Sequence, residues 1–277
     1  MMDAASLAGL SIAQIERLST LPPLETRILL CHALGLSRVQ LITRSEQVPD
    51  AAQRELLAQL LLRRQAGEPI AYLTGSREFY GLEFRVTPAV LIPRPETELL
   101  VELAIERLPE GGSLLDLGTG SGAIAVAIAH ARPDAHLTAL DASAAALEVA
   151  RGNAERHGVR VEFLQSDWYA ALPAMRFDLV VSNPPYIVAG DTHLAQGDLR
   201  FEPVDALTDH ADGLSALRTI VSGASAHLAD GGWLLMEHGY DQAEAVRSLL
   251  AARGFAEVQS WRDLAGIERA SGGRLVA

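Results

Sequence analysis

The sequence has almost no cysteine: Cys31 stands alone among 277 residues. No disulfide can close within the chain, and no Cys/His cluster is spaced for a structural zinc. The eight histidines are scattered without ligand spacing, so no metal site is expected. Basic charge is also short. The formal net charge is −12, and no Lys/Arg-rich stretch is present to track a phosphate backbone. The one basic spot, "LLRRQ" at 61–65, reads as a solvated helix face. No apolar run is long enough to span a bilayer. The opening "MMDAASLAGLSIAQIERL" has an early acid and no basic segment before an apolar one, so no signal peptide is expected. These shortages point to a protein of a reducing cytoplasm, without membrane or stable nucleic-acid partners. Glycine (23) and proline (13) stand at ordinary levels, which argues against collagenous or disordered classes.

What is there suffices for a large core: 49% of residues are hydrophobic, and the length fits one large domain plus a smaller one. Residues 1–69 carry helical spacing and no strand pattern, predicting a small helical bundle domain. Within it "LETRILLCHAL" places Leu24, Ile28 and Cys31 on one face, and Cys31 is expected in the core. Residues 70–93 hold aromatic and β-branched residues around Gly75 and Gly81, which predicts extended segments or a hairpin linking two domains. From 94 to 277 one helix opens on acidic residues, and strands then alternate with helices. Seven strand patterns are present: "SLLDLG", "HLTALD", "VRVEFLQ", "FDLVVS", "GGWLLMEH", "AEVQSW" and "GRLVA". The fold class is therefore α/β, a mainly parallel seven-stranded sheet with helices on both faces, preceded by the helical domain. The stretch 187–213 is long and irregular; it is either a functional lid or a plain surface excursion.

Four strand ends carry chemistry. "DLGTGSGAIA" (116–125) lies between the first strand of this region and its helix. Gly118, Gly120 and Gly122 allow a sharp turn and a close approach to a ligand. The spacing is not that of the dinucleotide fingerprint, and the lysine of a phosphate loop is missing, so a nucleoside without phosphates is favoured. Asp141 ends the next strand, where a carboxylate accepts hydrogen bonds from ribose hydroxyls; it could equally cap the following helix. Asp167 follows the third strand and could receive a purine amino group, with Trp168 offering an apolar face. The glycine loop and two acids at three successive strand ends point to an S-adenosylmethionine site.

The fourth strand end is "SNPPY" (182–186). Alone it reads as a turn that ends a strand. Beside a cofactor loop it reads differently. An amide or exocyclic amino nitrogen is planar and has a delocalised lone pair. The Asn183 side-chain carbonyl and the Pro184 backbone carbonyl can each accept one N–H from such a group. Pro184 and Pro185 make the corner rigid, and Tyr186 can pack on the planar group.

With "REFYGLEFRVTPAVLIPRPETELLVE" (77–102) and "FEPVDAL" (201–207), these motifs resemble the peptide chain release factor glutamine methyltransferase family, within the class I methyltransferases of Rossmann-like fold. The resemblance covers nearly the whole chain and is strongest from 77 to 207. It implies methyl transfer from S-adenosyl-L-methionine, leaving S-adenosyl-L-homocysteine, to the side-chain amide nitrogen (N5) of the Gln in the Gly-Gly-Gln motif of class 1 release factors, an event of translation termination. It implies that Gly118, Thr119, Gly120, Ser121 and Gly122 hold the methionine end, Asp141 the ribose, and Asp167 and Trp168 the adenine. Asn183 through Tyr186 would hold the glutamine, with Asn183 also bordering the cofactor, and the helical domain would contact the release factor as a monomer. The rival reading is an adenine-N6 or cytosine-N4 nucleic-acid methyltransferase, since the same corner serves an extruded base; the net charge of −12 weighs against it. A non-enzymatic nucleoside sensor is the other alternative, and pure binding would not need the corner. Glu202 and Asp205 could touch substrate backbone or cap a turn, and for His238 and Tyr240 a structural role is favoured.

Overall fold

The structure, a computed structural model, describes residues 3–172 and 174–276. It divides in sequence between Ser76 and Arg77 into two compact units. The first holds α1 (Ile12–Leu18), α2 (Pro23–Leu34), α3 (Arg38–Thr43), α4 (Ala51–Gln65) and α5 (Ile70–Thr74). Three of these open on one device. "SIAQ", "SRVQ" and "DAAQ" are capping boxes, in which Ser11, Ser37 or Asp50 and the glutamine three residues on satisfy each other's backbone N–H groups. Leu7, Ile12, Ile15, Leu29, Leu30, Leu57, Leu61 and Leu73 form the core of this unit.

Two expectations are corrected here. The inward stripe of α2 is Leu29, Leu30, Ala33 and Leu34, while Leu24 is 64% exposed and Ile28 and Cys31 sit at the margin. The helix is packed against α1, α3, α4 and α5 together, so the face with most neighbours turns in. Residues 70–74 are helical rather than extended, with Pro69 ahead of the first turn and Gly75 closing it at φ +72°.

Starting at the boundary residue Ser76, β1 (Ser76–Phe79) and β2 (Leu82–Arg85) form a hairpin that otherwise belongs to the second unit. Its turn residues Tyr80 and Gly81 both have positive φ, 52° and 75°, as the tightest hairpin turn requires. This hairpin is more than a linker, because Phe79 and Phe84 are buried in the main core. Next come α6 (Glu98–Arg107), β3 (Ser113–Leu117), α7 (Ala123–Ala131), β4 (His136–Asp141), α8 (Ala144–Arg156), β5 (Glu162–Gln165) and β6 (Phe177–Ser182). The chain closes with α9 (Ser215–His227), β7 (Leu228–Glu237), α10 (Ala243–Ala252), β8 (Phe255–Arg262) and β9 (Glu268–Leu275).

The seven-stranded sheet runs β5-β4-β3-β6-β7-β9-β8. β3 to β7 are parallel, and β9 runs antiparallel to both neighbours. Alternation along β3 sends Leu114 to the face packed with α6 and α7, and Leu115 and Leu117 to the face packed with α9 and α10. α7, "AIAVAIAHA", is buried nearly all round, and its alanines let the sheet come close. Strand order reverses between β3 and β6, so a crevice opens beyond their carboxyl ends.

Candidate active site

That crevice is a cavity of about 420 Å³, lined by the loops after β3, β4, β5 and β6. Gly118, Thr119, Gly120, Ser121, Asp141, Asp167, Trp168, Asn183 and Pro185 all line it. Gly122, Pro184 and Tyr186 are not among its lining residues. Phe79, Arg94, Thr97 and Asp205 are, although they lie far from the glycine loop in sequence.

The loop after β3 bends through Gly118, Gly120 and Gly122, all at positive φ. Gly122 has a second constraint: a Cβ there would lie 3.1 Å from the Ala150 Cβ. Asp141 ties the loop to the end of β4. Its Oδ2 accepts from the Gly120 N–H and its Oδ1 from the Ser143 N–H, each at 2.8 Å. The helix cap itself is Ser143, which accepts from the Ala146 N–H, so Asp141 is not the capping residue. Burial raises the Asp141 pKa, and the N–H groups of Ser143 and Gly120 oppose that shift. Deeper still lies Asp116, fully buried. Its Oδ2 accepts from the Thr119 hydroxyl at 2.6 Å, and its Oδ1 lacks a partner among the described residues. Burial pushes its pKa up to about 7.

Asn153 is the support that the sequence reading missed. Fully buried on α8, it accepts from the Arg85 N–H (2.7 Å) and donates to the Arg85 and Ser121 carbonyls (3.0 and 2.8 Å). It therefore joins the end of β2 to the glycine loop. An asparagine in the middle of an amphipathic helix pattern was the available signal. Trp168 holds a positive φ of 47°, and its carbonyl accepts from the Ser166 hydroxyl at 2.7 Å. Its ring stands beside Gly118, where a Cβ would come within 3.9 Å.

The corner after β6 is held from three sides. The Asn183 Nδ2 donates to the Thr97 hydroxyl oxygen at 3.2 Å. Thr97 stands at the start of α6 yet makes no capping bond, so its hydroxyl is left for this contact. The Tyr186 hydroxyl donates to Glu237 Oε1 at 3.3 Å, and the Gln242 Nε2 donates to the Tyr186 carbonyl at 3.0 Å. Gly213 presses on the same place: a Cβ there would sit 2.6 Å from the Tyr186 carbonyl oxygen. Glu237, at the end of β7, is buried. Burial raises its pKa to about 7 against the lowering effect of the Thr97 and Tyr186 hydroxyls.

The 187–213 stretch is irregular apart from three short 3-10 turns and an isolated bridge from Ile187 to Thr208. Glu202, in "FEPVDAL", is buried. It accepts from the Ile92 N–H at 3.0 Å and pairs with Arg94, clasping that stretch to the wall of the cavity. Asp205 lines the cavity and pairs with His210 at 2.7 Å. His238 has no exposure and bonds the Gly239 carbonyl and the Ser271 hydroxyl, a structural role. Tyr240 is exposed. "LLRRQ" is partly buried rather than purely solvated, since Arg64 pairs with Glu25 at 2.7 Å. Among the described residues, no His/Cys/Asp/Glu group is arranged to hold a metal, and no helix is long and apolar enough to cross a membrane.

Comparison with known proteins adds to this geometry. Residues 95–199 match the methyltransferase small domain model, and residues 13–75 match the PrmC N-terminal domain model. The chain is 61% identical to the release factor glutamine methyltransferase of Burkholderia pseudomallei over 99% of each chain. It is 58% identical to that of Bordetella pertussis, over 92% of this chain and 96% of the relative. Among solved structures it is similar to a T. thermophilus 16S rRNA methyltransferase in complex with AdoMet and guanosine. That match has a TM-score of 0.53 at 26% identity, over 72% of this chain and 49% of the other.

Proposed function

The chain belongs to the release factor glutamine methyltransferase family, and from that membership we propose that it methylates the N5 amide nitrogen of the Gln in the Gly-Gly-Gln motif of class 1 release factors, with S-adenosyl-L-methionine as donor. The residues present suit that donor. A cavity of about 420 Å³ is of ligand size, and its polar wall is acidic at Asp141 and Asp167, which complements a cationic ligand. The similar rRNA methyltransferase bound to AdoMet supports the same assignment. The glycine loop and Asp141 would hold the methionine and ribose parts, with Asp167 and Trp168 beside the adenine. When bound, the donor supplies an electrophilic methyl group on a sulfonium.

The chain's own task is to hold a weak nucleophile. A glutamine amide nitrogen shares its lone pair with its carbonyl. The Asn183 amide has its nitrogen on Thr97, so its oxygen faces the other way and is the atom available to an incoming N–H. The Pro184 carbonyl accepts the second N–H. Two fixed acceptors orient the amide nitrogen and draw charge toward it, and the corner has no conformational freedom to lose. The nitrogen releases a proton after it gains the methyl group. Tyr186 serves by anchoring the corner to Glu237 and Gln242. The observation that carries the reading is the Asn183–Thr97 bond, which turns an acceptor out at the edge of the cofactor cavity. The net charge of −12 favours a protein substrate over a nucleic acid, and we read the enzyme as cytoplasmic and monomeric.

The test is methyl incorporation into purified release factor, DNA and ribosomal RNA, with mass spectrometry of the Gly-Gly-Gln peptide. One methyl group on that glutamine is expected. Label confined to nucleic acid would overturn the reading. Asn183→Ala is expected to lower kcat by about 10²–10³-fold, the typical loss of one preorganised polar contact, with cofactor affinity unchanged.

A further inference from the structure

Two residues of opposite charge meet at the cavity wall and stand on different sides of it. Among the described residues, the charged side chains that line the cavity are Asp141, Asp167, Asp205 and Arg94, so Arg94 is the single base. Its partner Glu202 is not part of the lining. The Glu202 side chain has no exposure, while that of Arg94 is 30% exposed. The anion therefore lies behind the wall and the cation in it. Both Glu202 oxygens are used: Oε1 takes the Arg94 Nη2, and Oε2 takes the Ile92 N–H at 3.0 Å. The guanidinium is not used up. It carries five N–H donors in a planar fork, and the bond to Glu202 is the one its side chain makes among the described residues.

We propose that Arg94, held from behind by Glu202 as its positioning residue, binds the carboxylate at the methionine end of the donor. The inference rests on the S-adenosyl-L-methionine reading. Charge assigns the partner. A Gly-Gly-Gln segment has no charged side chain, so the carboxylate of the donor is the anionic group that enters this cavity. The other two charges of the donor, ammonium and sulfonium, are cations and suit the acids. A carboxylate placed here without a base would face only Asp141, Asp167 and Asp205, in a partly enclosed site where repulsion is poorly screened. A planar guanidinium matches a carboxylate with two parallel hydrogen bonds.

The backbone around Arg94 is built to hold that fork still. Pro93 and Pro95 flank it. A residue before proline is driven to extended backbone, and Arg94 has φ −102° and ψ 141°. Its carbonyl accepts from the Thr97 N–H at 3.1 Å, in the 3-10 turn Pro95–Thr97 that leads into α6. Thr97 in turn bonds the Asn183 side chain, so the segment that carries the cation is tied to the corner after β6. Glu202 serves two ends at once. It clasps the 187–213 stretch to this segment, and it aims the cation from the buried side.

The experiment is calorimetric titration with two probes, S-adenosyl-L-methionine and its decarboxylated form, which keeps the adenosine, the sulfonium and the amine. Arg94→Met should weaken binding of the donor by about 10- to 100-fold, the usual effect of a lost hydrogen-bonded charge. The same variant should bind the decarboxylated form at least as tightly as wild type does. Arg94→Lys keeps the charge without the fork, and its loss should fall between. Glu202→Gln keeps an acceptor for the Ile92 N–H but frees the guanidinium, and should weaken donor binding alone, by about 3- to 10-fold. Undiminished donor binding in Arg94→Met would overturn the proposal. So would equal weakening of both probes, which would make Arg94 a structural residue. These outcomes decide even if Glu202→Gln fails to fold, and a folded Glu202→Gln with wild-type affinities would overturn the role given to Glu202. A wild-type protein that binds neither probe would instead overturn the parent reading, and the proposal with it.

Discussion

The loop after β3 and the corner after β6 meet at one cavity but are made in opposite ways. The first is built from residues with the most backbone freedom, Gly118, Gly120 and Gly122, each at positive φ. The second is built from residues with the least, Pro184 and Pro185. Freedom has to be removed from outside, and Asp141, Asn153 and the close approach of Ala150 remove it. Stiffness has to be aimed from outside, and Thr97, Gln242 and Gly213 aim it. Glycine gives a ligand close access to backbone, whereas proline gives a substrate fixed acceptors. Each segment is shaped by its own residues and placed by distant ones.

Each also rests on a buried carboxyl with a pKa near 7, Asp116 under the loop and Glu237 under the corner. This symmetry allows the largest predicted stability effect. The folded-state pKa of Asp116 is raised from 3.8 to about 7, so the folded protein holds a proton that the unfolded chain has already lost. The contribution to stability is full below about 3.8 and disappears as pH rises through about 7. Between pH 5 and pH 8, wild type should lose about 3 kcal/mol more stability than Asp116→Asn, read from denaturant midpoints. Glu237→Gln should flatten the stability slope in the same sense, since that pKa is raised from 4.5 to about 7. The two variants should part in function: Glu237→Gln, under the Tyr186 hydroxyl, should lower kcat, and Asp116→Asn, under the Thr119 hydroxyl, should weaken cofactor binding. If both variants lowered kcat and left cofactor affinity unchanged, the comparison between the two carboxyls would be broken.

The sheet, its helices and both strand-end motifs were legible because their signals are local. A period of two, a period of 3.6, three spaced glycines and two adjacent prolines all sit within a few residues of what they build. The supports were not legible because they are defined by register and packing. Thr97 reads as part of a helix start, and only its missing cap bond frees the hydroxyl for Asn183. Glu237 reads as the polar end of a strand, and burial between β6 and β9 raises its pKa. Asn153 reads as one polar position on α8. The face of α2 was misjudged for the same reason: four helices pack around it, and periodicity alone does not say which stripe they cover.

A cross-comparison of supports sharpens the contrast between loop and corner. Asn153→Ala removes three hydrogen bonds and leaves the Arg85 and Ser121 backbone groups without that partner. A loss of about 2 kcal/mol in stability is expected, with weaker cofactor binding measured by calorimetry. Gln242→Ala frees the Tyr186 and Gly213 carbonyls and the Gly239 N–H. Its stability loss should be smaller, about 1–2 kcal/mol, and its functional loss should fall on kcat rather than on cofactor affinity. Equal effects of the two variants on cofactor affinity would mean that loop and corner are not separable supports.

The smallest predicted effect separates two roles within the loop itself. Asp141 is the last residue of β4, where sequence allows it to be either a ligand to ribose or the cap of α8. The cap is Ser143, whose hydroxyl accepts from the Ala146 N–H at 3.2 Å, while Asp141 bonds Gly120 and Ser143. Ser143→Ala should therefore cost about 1 kcal/mol of stability, the usual value for a lost N-cap, and leave cofactor affinity unchanged. Asp141→Ala should weaken cofactor binding, because it releases Gly120 as well as removing the carboxylate from the cavity wall. Calorimetric titration of both variants decides between the roles. If Ser143→Ala weakened cofactor binding as much as Asp141→Ala, the cap and the glycine loop would be one mechanical unit, and Asp141 would act by shaping the start of α8 rather than by touching the ligand.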